Sequence, residues 1–496
     1  MSSEKDASIN QESSKSDESS SNDKADGSAS IWKSKVTENR DKILLFIGAI
    51  ITTSATCIHY IIVQLGYTTI GFTLDDSWIH LEYARSVFEG RPWQYSHGYP
   101  STGSTSPLWS IVLSGLFFFT SETVALVWGV MIVSLVFYVL SSYIIGWFVM
   151  KLSGKEIFGY VAMVVFAIVP SNTWLILSGM EYPLFLFLLL LPLYILDRPE
   201  PQFDVILGIV AGLTFLARPE GILLALIAFP IRIAQHISRR EINRRILLSL
   251  TLMIVSAGLV VLPWILYCYS VTGYPLPDTF YAKVHAVTAF EVEAWNIFWS
   301  IFIGTMPFLI MGMLLGVLTL LKQKPYVWIF GIALTLLYRF TMPYQALINN
   351  SRYLTPIFAF LAVTCIAGFA IFYNEIMTSK PPKKPRIFRY TLAAVIIVIV
   401  IIPSIPLYMR QSEVFGIAAK NINEMQVDIG YWVKENTPEN ATIAMCDVGA
   451  IRFISNRTIV DICGLVTPDI THGNFSSFEL RDYLESRQID YLIIFG

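Results

Sequence analysis

Residues 71–109 read GFTLDDSWIHLEYARSVFEGRPWQYSHGYPSTGSTSPLW, a polar island between two apolar runs. The run before it, 43–65, is long enough to cross a bilayer, which takes about 20 residues. Lys33, Lys35, Arg40 and Lys42 precede that run, and positive flanks stay on the cytoplasmic side. The N-terminus is therefore expected inside and the loop 66–106 outside. Asp75 and Asp76 stand at the head of 77–88, which can form a helix. Trp78, Leu81 and Arg85 would share one side of it, with Ile79, Tyr83 and Val87 near another. Gly90 and Pro92 stop it. Trp and Tyr on such a helix suit a membrane interface. The expectation is a helix lying on the outer leaflet, with two carboxylates at its N-terminus.

The composition agrees with lipid as the main solvent. The chain is 54% hydrophobic and only 15% charged, against about 25% charged in soluble proteins, and its mean hydropathy is +0.57. The net charge of −2 and the lack of a basic stripe argue against nucleic acid as a partner. Residues 1–30 are rich in Ser, Asp and Lys, with little to bury, so the stretch 1–42 reads as a disordered cytoplasmic tail. It has no apolar core of a signal peptide. Clusters at 239–245, 322–324 and 380–386 mark further cytoplasmic loops. They leave 270–295, 341–351 and everything after Met409 outside. Between the first loop and Arg239 lie six apolar runs, an even number that cannot join an outer loop to an inner one. One of them, with 107–119, 182–196 and 203–217 the shortest candidates, must be a half-helix or re-entrant.

The expected fold is an all-α polytopic membrane protein with about 11 transmembrane helices over 43–409, followed by a small extracytoplasmic α/β domain at 410–496. In that tail, 421–436 and 478–487 read as helices, and 441–446, 458–462 and 491–495 as strands. Its abrupt end after a strand points to a chain that continues beyond Gly496. Cys57, Cys268 and Cys365 sit in apolar runs as small buried thiols. Whether Cys446 and Cys463 pair is left open, and no metal-binding Cys/His spacing occurs.

The acid pair admits two readings. A carboxylate there can take a proton from an acceptor hydroxyl, and two can hold a divalent cation against phosphate; alternatively they cap the helix. The Gly-, Ser- and Thr-rich stretch 96–108, with His97 and Tyr99, can fold over a sugar, but taken alone it reads as a solvated turn. Glu181, Arg218, Glu220, Lys283 and Arg352 sit beside apolar runs, where a charge needs a partner or a polar cavity. Arg218 and Glu220 read as a structural ion pair at a helix junction. Lys283 and Arg352 fall outside, where cations can grip a lipid phosphate or simply snorkel.

Together these segments resemble the GT-C integral membrane glycosyltransferases, most closely the branch of the mycobacterial terminal arabinofuranosyltransferases. Lipid A aminoarabinose transferases and protein O-mannosyltransferases are more distant. The likeness rests on LDDSWIHLEYARSVFEG with GSTSPLW, then SGMEYPLF at 178–185, LARPEG at 216–221, YPLPDTFYAK at 274–283 and SRYLTP at 351–356. The resemblance implies an outer-face active site, a donor sugar on a polyprenyl phosphate, a glycan, lipid or protein acceptor, and inversion in one displacement. By this likeness Asp75 is the general base and Asp76 supports the acceptor or a divalent cation. Lys283 and Arg352 meet the donor phosphate, and Glu181, Arg218, Glu220, His97 and Tyr353 line or brace the cavity. The chain departs from its relatives in the loop after the helix and at Glu82, both expected on the acceptor side. Competing readings are a transporter or flippase of lipid-linked sugars, with midplane sites and related halves, an oligosaccharide ligase, and a non-catalytic membrane scaffold.

Overall fold

The computed structural model describes residues 39–240, 243–283, 287–305, 312–316, 324–379, 382–473 and 475–494. The chain divides into two compact units, Met1–Gly48 and Ala49–Gly496. Among the described residues, five helices are long and apolar enough to cross a membrane: Asn39–Leu65, Thr123–Ser153, Pro219–Ser238, Arg244–Thr272 and Arg352–Ser379. Glu156–Ala167 and Pro170–Leu177, bent by 61° at the break, make a sixth if they count as one span. Pro170 sets that bend, since its ring denies a helical conformation to Val169. Shorter apolar helices cover Pro107–Phe118, Tyr182–Ile195, Gln202–Ala217 and Pro325–Thr341. The runs expected to be short are thus short helices, and the helical membrane class holds in its coarse form.

The lipid-facing surface is plain on Arg244–Thr272, of which only 17% of the most apolar window is buried. Leu248, Ile254, Leu259 and Leu266 are exposed along it, a stripe that water would not tolerate on a folded protein. Its other side packs on Gln202–Ala217 through small residues. A Cβ on Gly212 would meet the Val260 side chain at 2.7 Å, and one on Gly208 would strike the Met253 carbonyl. Such close helix contact is what small residues permit in a bilayer.

The long helix Pro385–Ile422 leads through one wide turn, Asn423–Val427, into Asp428–Asn436. Three parallel strands follow, with Thr442–Met445 between Thr458–Asp461 and Tyr491–Leu492. The helices Gly449–Ser455 and Ser477–Ser486 accompany them. Cys446 and Cys463, whose pairing the sequence left open, form a disulfide. The apolar core here is shared: Ile79, Tyr83 and Tyr95 of the first loop pack with Val433, Ile443, Met445, Val448 and Ile451 of the tail.

That shared core corrects the picture of the loop helix. Asp76–Phe88 does not lie open on a leaflet: Trp78, Leu81 and Tyr83 are buried. Trp78 packs against Phe72 and against Phe453 of the tail, and Ser77 donates a hydrogen bond to the Ser178 carbonyl at 2.6 Å. The helix is a filling between membrane helices and tail, because its aromatic residues find protein on both sides.

Candidate active site

Asp75 sits at the entrance to the helix Asp76–Phe88 but does not cap it. Its carboxylate instead accepts hydrogen bonds from the backbone amides of Gly449 (2.6 Å) and Ala450 (2.8 Å). These are the first amides of the tail helix Gly449–Ser455. Helix-start amides lack intrahelical partners and welcome a carboxylate. Burial nevertheless dominates, and with Asp76 and Asp447 nearby it pushes the Asp75 carboxyl up to about 7. The close approach requires glycine at 449, since a Cβ there would collide with Asp75.

The same two helices are locked further along. Glu82, fully buried, pairs with Arg85 and with Arg452 of the tail helix at 3.1 Å. Arg85 donates to the Phe453 carbonyl at 3.0 Å. Glu82, expected on the acceptor side, is therefore the centre of the clamp between loop and tail. The sequence could not show this because Arg452 lies 370 positions away.

Beneath the loop helix, most of the charged candidates converge. Arg218 pairs with Glu181 and donates to Glu220 at 2.8 Å. His80 Nε2 lies 3.1 Å from Glu181, and Tyr338 donates to Glu220 at 3.1 Å. The Arg218 guanidinium lies over the rings of Tyr182 and Tyr353, each 4.6 Å away. Arg352 also lies over the Tyr353 ring, at 5.3 Å, and its Nη1 donates to Asp76 at 3.0 Å. All these charges are buried except Asp76, which keeps 30% side-chain exposure. Charges buried in apolar surroundings demand such mutual pairing. The ion pair foreseen for Arg218 and Glu220 at a helix junction exists, within a larger network that adds His80 and Tyr338. Spare hydrogen-bonding capacity remains: Arg218 Nε, Arg352 Nε, Glu220 Oε2 and the Tyr182 hydroxyl are buried without a hydrogen-bond partner among the described residues.

Other candidates fall elsewhere. His97 is exposed at the turn of a short hairpin, Gln94–Ser96 with Tyr99–Pro100, and joins none of these contacts. Lys283 closes the short helix Asp278–Lys283, and its side chain lies outside the described residues. The stretch 101–106 is no solvated turn. Ser101, Thr102, Ser104 and Ser106 are buried, with Ser101 donating to the Val466 carbonyl of the tail at 2.7 Å. Asp278, in the PLPDTFYAK segment, is buried and meets His472 of the tail at 2.9 Å; burial raises its carboxyl above the usual range. A cavity of about 400 Å³ opens between hairpin and tail sheet, where Tyr95, Tyr99, Asp469, Tyr483 and Arg487 contribute to its wall. Tyr95 links it to the acid, donating to the Val448 carbonyl (3.0 Å) next to Gly449.

The acid pair is not arranged as a cation cage. Asp75 faces backbone amides, Asp76 faces Arg352, and among the described residues no cluster of three or more His, Cys, Asp or Glu suits a metal.

A family described only as a domain of unknown function, DUF8728, matches residues 420–496. No curated protein matches. Among solved structures, ArnT from Cupriavidus metallidurans bound to undecaprenyl phosphate is similar at a TM-score of 0.54 and 14% identity, over 91% of this chain and 89% of that one. The apo state of that ArnT gives 0.53 and 15%, over 84% and 85%. The Archaeoglobus fulgidus oligosaccharyltransferase, tethered to an acceptor peptide containing the NVT sequon, gives 0.52 and 13% over 83% of this chain. This chain spans 64% of that oligosaccharyltransferase's length. The protein thus has the fold of the GT-C glycosyltransferases.

Proposed function

We propose that this chain is a membrane glycosyltransferase that moves a sugar from a polyprenyl-phosphate donor to an acceptor at the outer membrane face, with inversion. The observation that carries the reading is the convergence at the loop helix. An acid poised near neutrality, Asp75, stands beside Asp76 and the buried Arg352, in a fold whose similar solved structures include one bound to undecaprenyl phosphate.

The chemistry needs little else. A lipid phosphate is a good leaving group, so no acid is required to protonate it. Asp75 takes the acceptor hydroxyl proton, and the acceptor oxygen bonds to the anomeric carbon from the opposite side. The bond from that carbon to the phosphate oxygen breaks, leaving its electron pair on the phosphate. A carboxyl near 7 is ionised for much of the time at neutral pH and basic enough to accept a proton. Arg352, with donors to spare beyond Asp76, neutralises the departing phosphate, and Lys283 is its proposed companion. Arg218, Glu181, Glu220 and Tyr353 brace the floor. Asp76 holds Arg352 and orients the acceptor; His97 contacts the acceptor from the hairpin. Positioning of this kind lowers a barrier by up to about 7–11 kcal/mol.

The proposed layout is a cytoplasmic tail at 1–42, a catalytic membrane region at 43–409 with about 11 crossings, and an extracytoplasmic tail at 410–496. The Cys446–Cys463 disulfide favours an oxidising compartment for that tail. The likeness to the arabinofuranosyltransferase branch favours a cell-envelope glycan as acceptor, entering through the cavity beside Tyr95. The test is incubation of the purified chain with a panel of polyprenyl-phosphate pentoses and hexoses, reading release of lipid phosphate. Release from one donor, with an inverted anomer in the product, is expected. Silence with every donor and with crude envelope acceptors would overturn the reading.

A further inference from the structure

The helix Arg352–Ser379 starts at the site just described and ends roughly 35–40 Å away, at 1.5 Å per residue. At that far end is a second cavity, of about 570 Å³, which the transfer chemistry does not use. Lys155, Arg386 and Arg389 contribute to its wall, with Tyr373, Asn374 and Thr378. Three cations thus face one space. Among the described residues the acid paired with them is Glu156, 41% exposed and 3.9 Å from Arg389, beyond hydrogen-bond reach. Arg389 Nε is buried without a hydrogen-bond partner among the described residues. The Tyr373 ring stacks on Phe388 at 6.1 Å and 17°, and Asn374 is fixed by donating to the Ser153 carbonyl at 2.9 Å. The walls are therefore built rather than loose, and the excess charge is positive.

Such a space suits a phosphate group, whose oxygens match the planar donor fork of arginine. What decides between a free phosphate and a lipid is the neighbouring surface. Phe372, Ile387 and Tyr390, each next in sequence to a wall residue, are exposed apolar residues, and an acyl chain can lie along them. We infer that this cavity binds the headgroup of an anionic membrane phospholipid, with Arg386, Arg389 and Lys155 on the phosphate and the acyl chains along Phe372, Ile387 and Tyr390. Basic pockets between membrane helices are known to serve this purpose. The inference is independent of the glycosyltransferase reading.

The experiment uses the full chain, delipidated in detergent and titrated with short-chain phosphatidylglycerol, short-chain phosphatidylcholine and inorganic phosphate. The readout is the thermal midpoint against ligand concentration. Phosphatidylglycerol is expected to raise the midpoint saturably, and the other two are expected to do little at the same concentrations. In the variant carrying Arg386→Gln and Arg389→Gln, the concentration needed should rise about 30-fold. Glu156→Gln, which removes the acid, should lower it, and this keeps the proposal testable if the double variant folds poorly. Equal response to phosphatidylcholine would mean a generic lipid contact, and equal response to phosphate a free-anion site. Either result, or unchanged affinity in both variants, overturns the proposal.

Discussion

Replacing Arg218 by Gln removes the cation between two buried carboxylates, Glu181 and Glu220. Gln is two heavy atoms shorter than Arg, so a small loss of packing accompanies the loss of charge. Breaking a buried pair by deleting one partner costs about 3–5 kcal/mol, because the remaining charge has no solvent to repay it. Loss of the contacts with the Tyr182 and Tyr353 rings, each at 4.6 Å, adds ~1 kcal/mol. Against a total stability of about 5–15 kcal/mol, that is a large fraction. The assay is reversible unfolding in mixed micelles with increasing dodecyl sulfate, followed by tryptophan fluorescence. A second variant carries Arg218→Gln with Glu181→Gln, which removes one of the two stranded carboxylates. It should be more stable than Arg218→Gln alone by at least ~1 kcal/mol, the sign of strong coupling between contacting residues. Additive losses in the double variant, or a cost under ~1 kcal/mol for Arg218→Gln, would refute the view that Arg218 neutralises this cluster.

Other expectations follow from the same contacts. With Asp75 as base and its carboxyl near 7, transfer should rise with pH through about 7 and level off above it, read as kcat/KM against pH. The stability effect has the opposite sign. The folded carboxyl keeps its proton to about 7, whereas the unfolded one loses it near 4, so this group costs stability as pH rises through that window. An unfolding free energy that climbs with pH there in wild type relative to Asp75→Asn would contradict the burial argument. Reducing Cys446–Cys463, which closes a loop with a sequence separation of 17, should cost about 3 kcal/mol in tail stability. It should lower transfer as well, because the strand ends it ties lead to Gly449. Gly449→Ala should depress kcat with the chain still folded, since its Cβ pushes the tail helix off Asp75; unchanged kcat would mean that the amide contacts are dispensable.

The sequence disclosed the membrane class because lipid selects long apolar runs, and it disclosed the acid pair because charges at a membrane edge stand out. Arg218 with Glu220 was legible for the same reason, being two residues apart. What stayed hidden depends on distant contacts. Arg452 meets Glu82, and Gly449 meets Asp75, across more than 350 positions, with no local pattern to announce either. Trp78 and Tyr83 looked interfacial because amphipathic aromatics suit headgroups and protein interfaces equally well. His80 was not singled out, although a histidine one turn after the acid pair was a signal within reach. The number of crossings stayed open because runs such as 182–196 are apolar enough for a bilayer and too short to declare how they sit in it.

The account turns on Asp75 acting as base while the tail helix holds it. The most direct measurement compares single-turnover release of lipid phosphate by wild type, Asp75→Asn and Asp76→Asn, each shown to be folded, with the productive donor and acceptor. Loss of release of about 100-fold or more in Asp75→Asn, at unchanged donor binding, is the predicted result. Asp76→Asn should weaken the donor through Arg352 and retain more of the rate. Release that survives Asp75→Asn would contradict the account and leave Asp75 as a residue that only ties the loop to the tail.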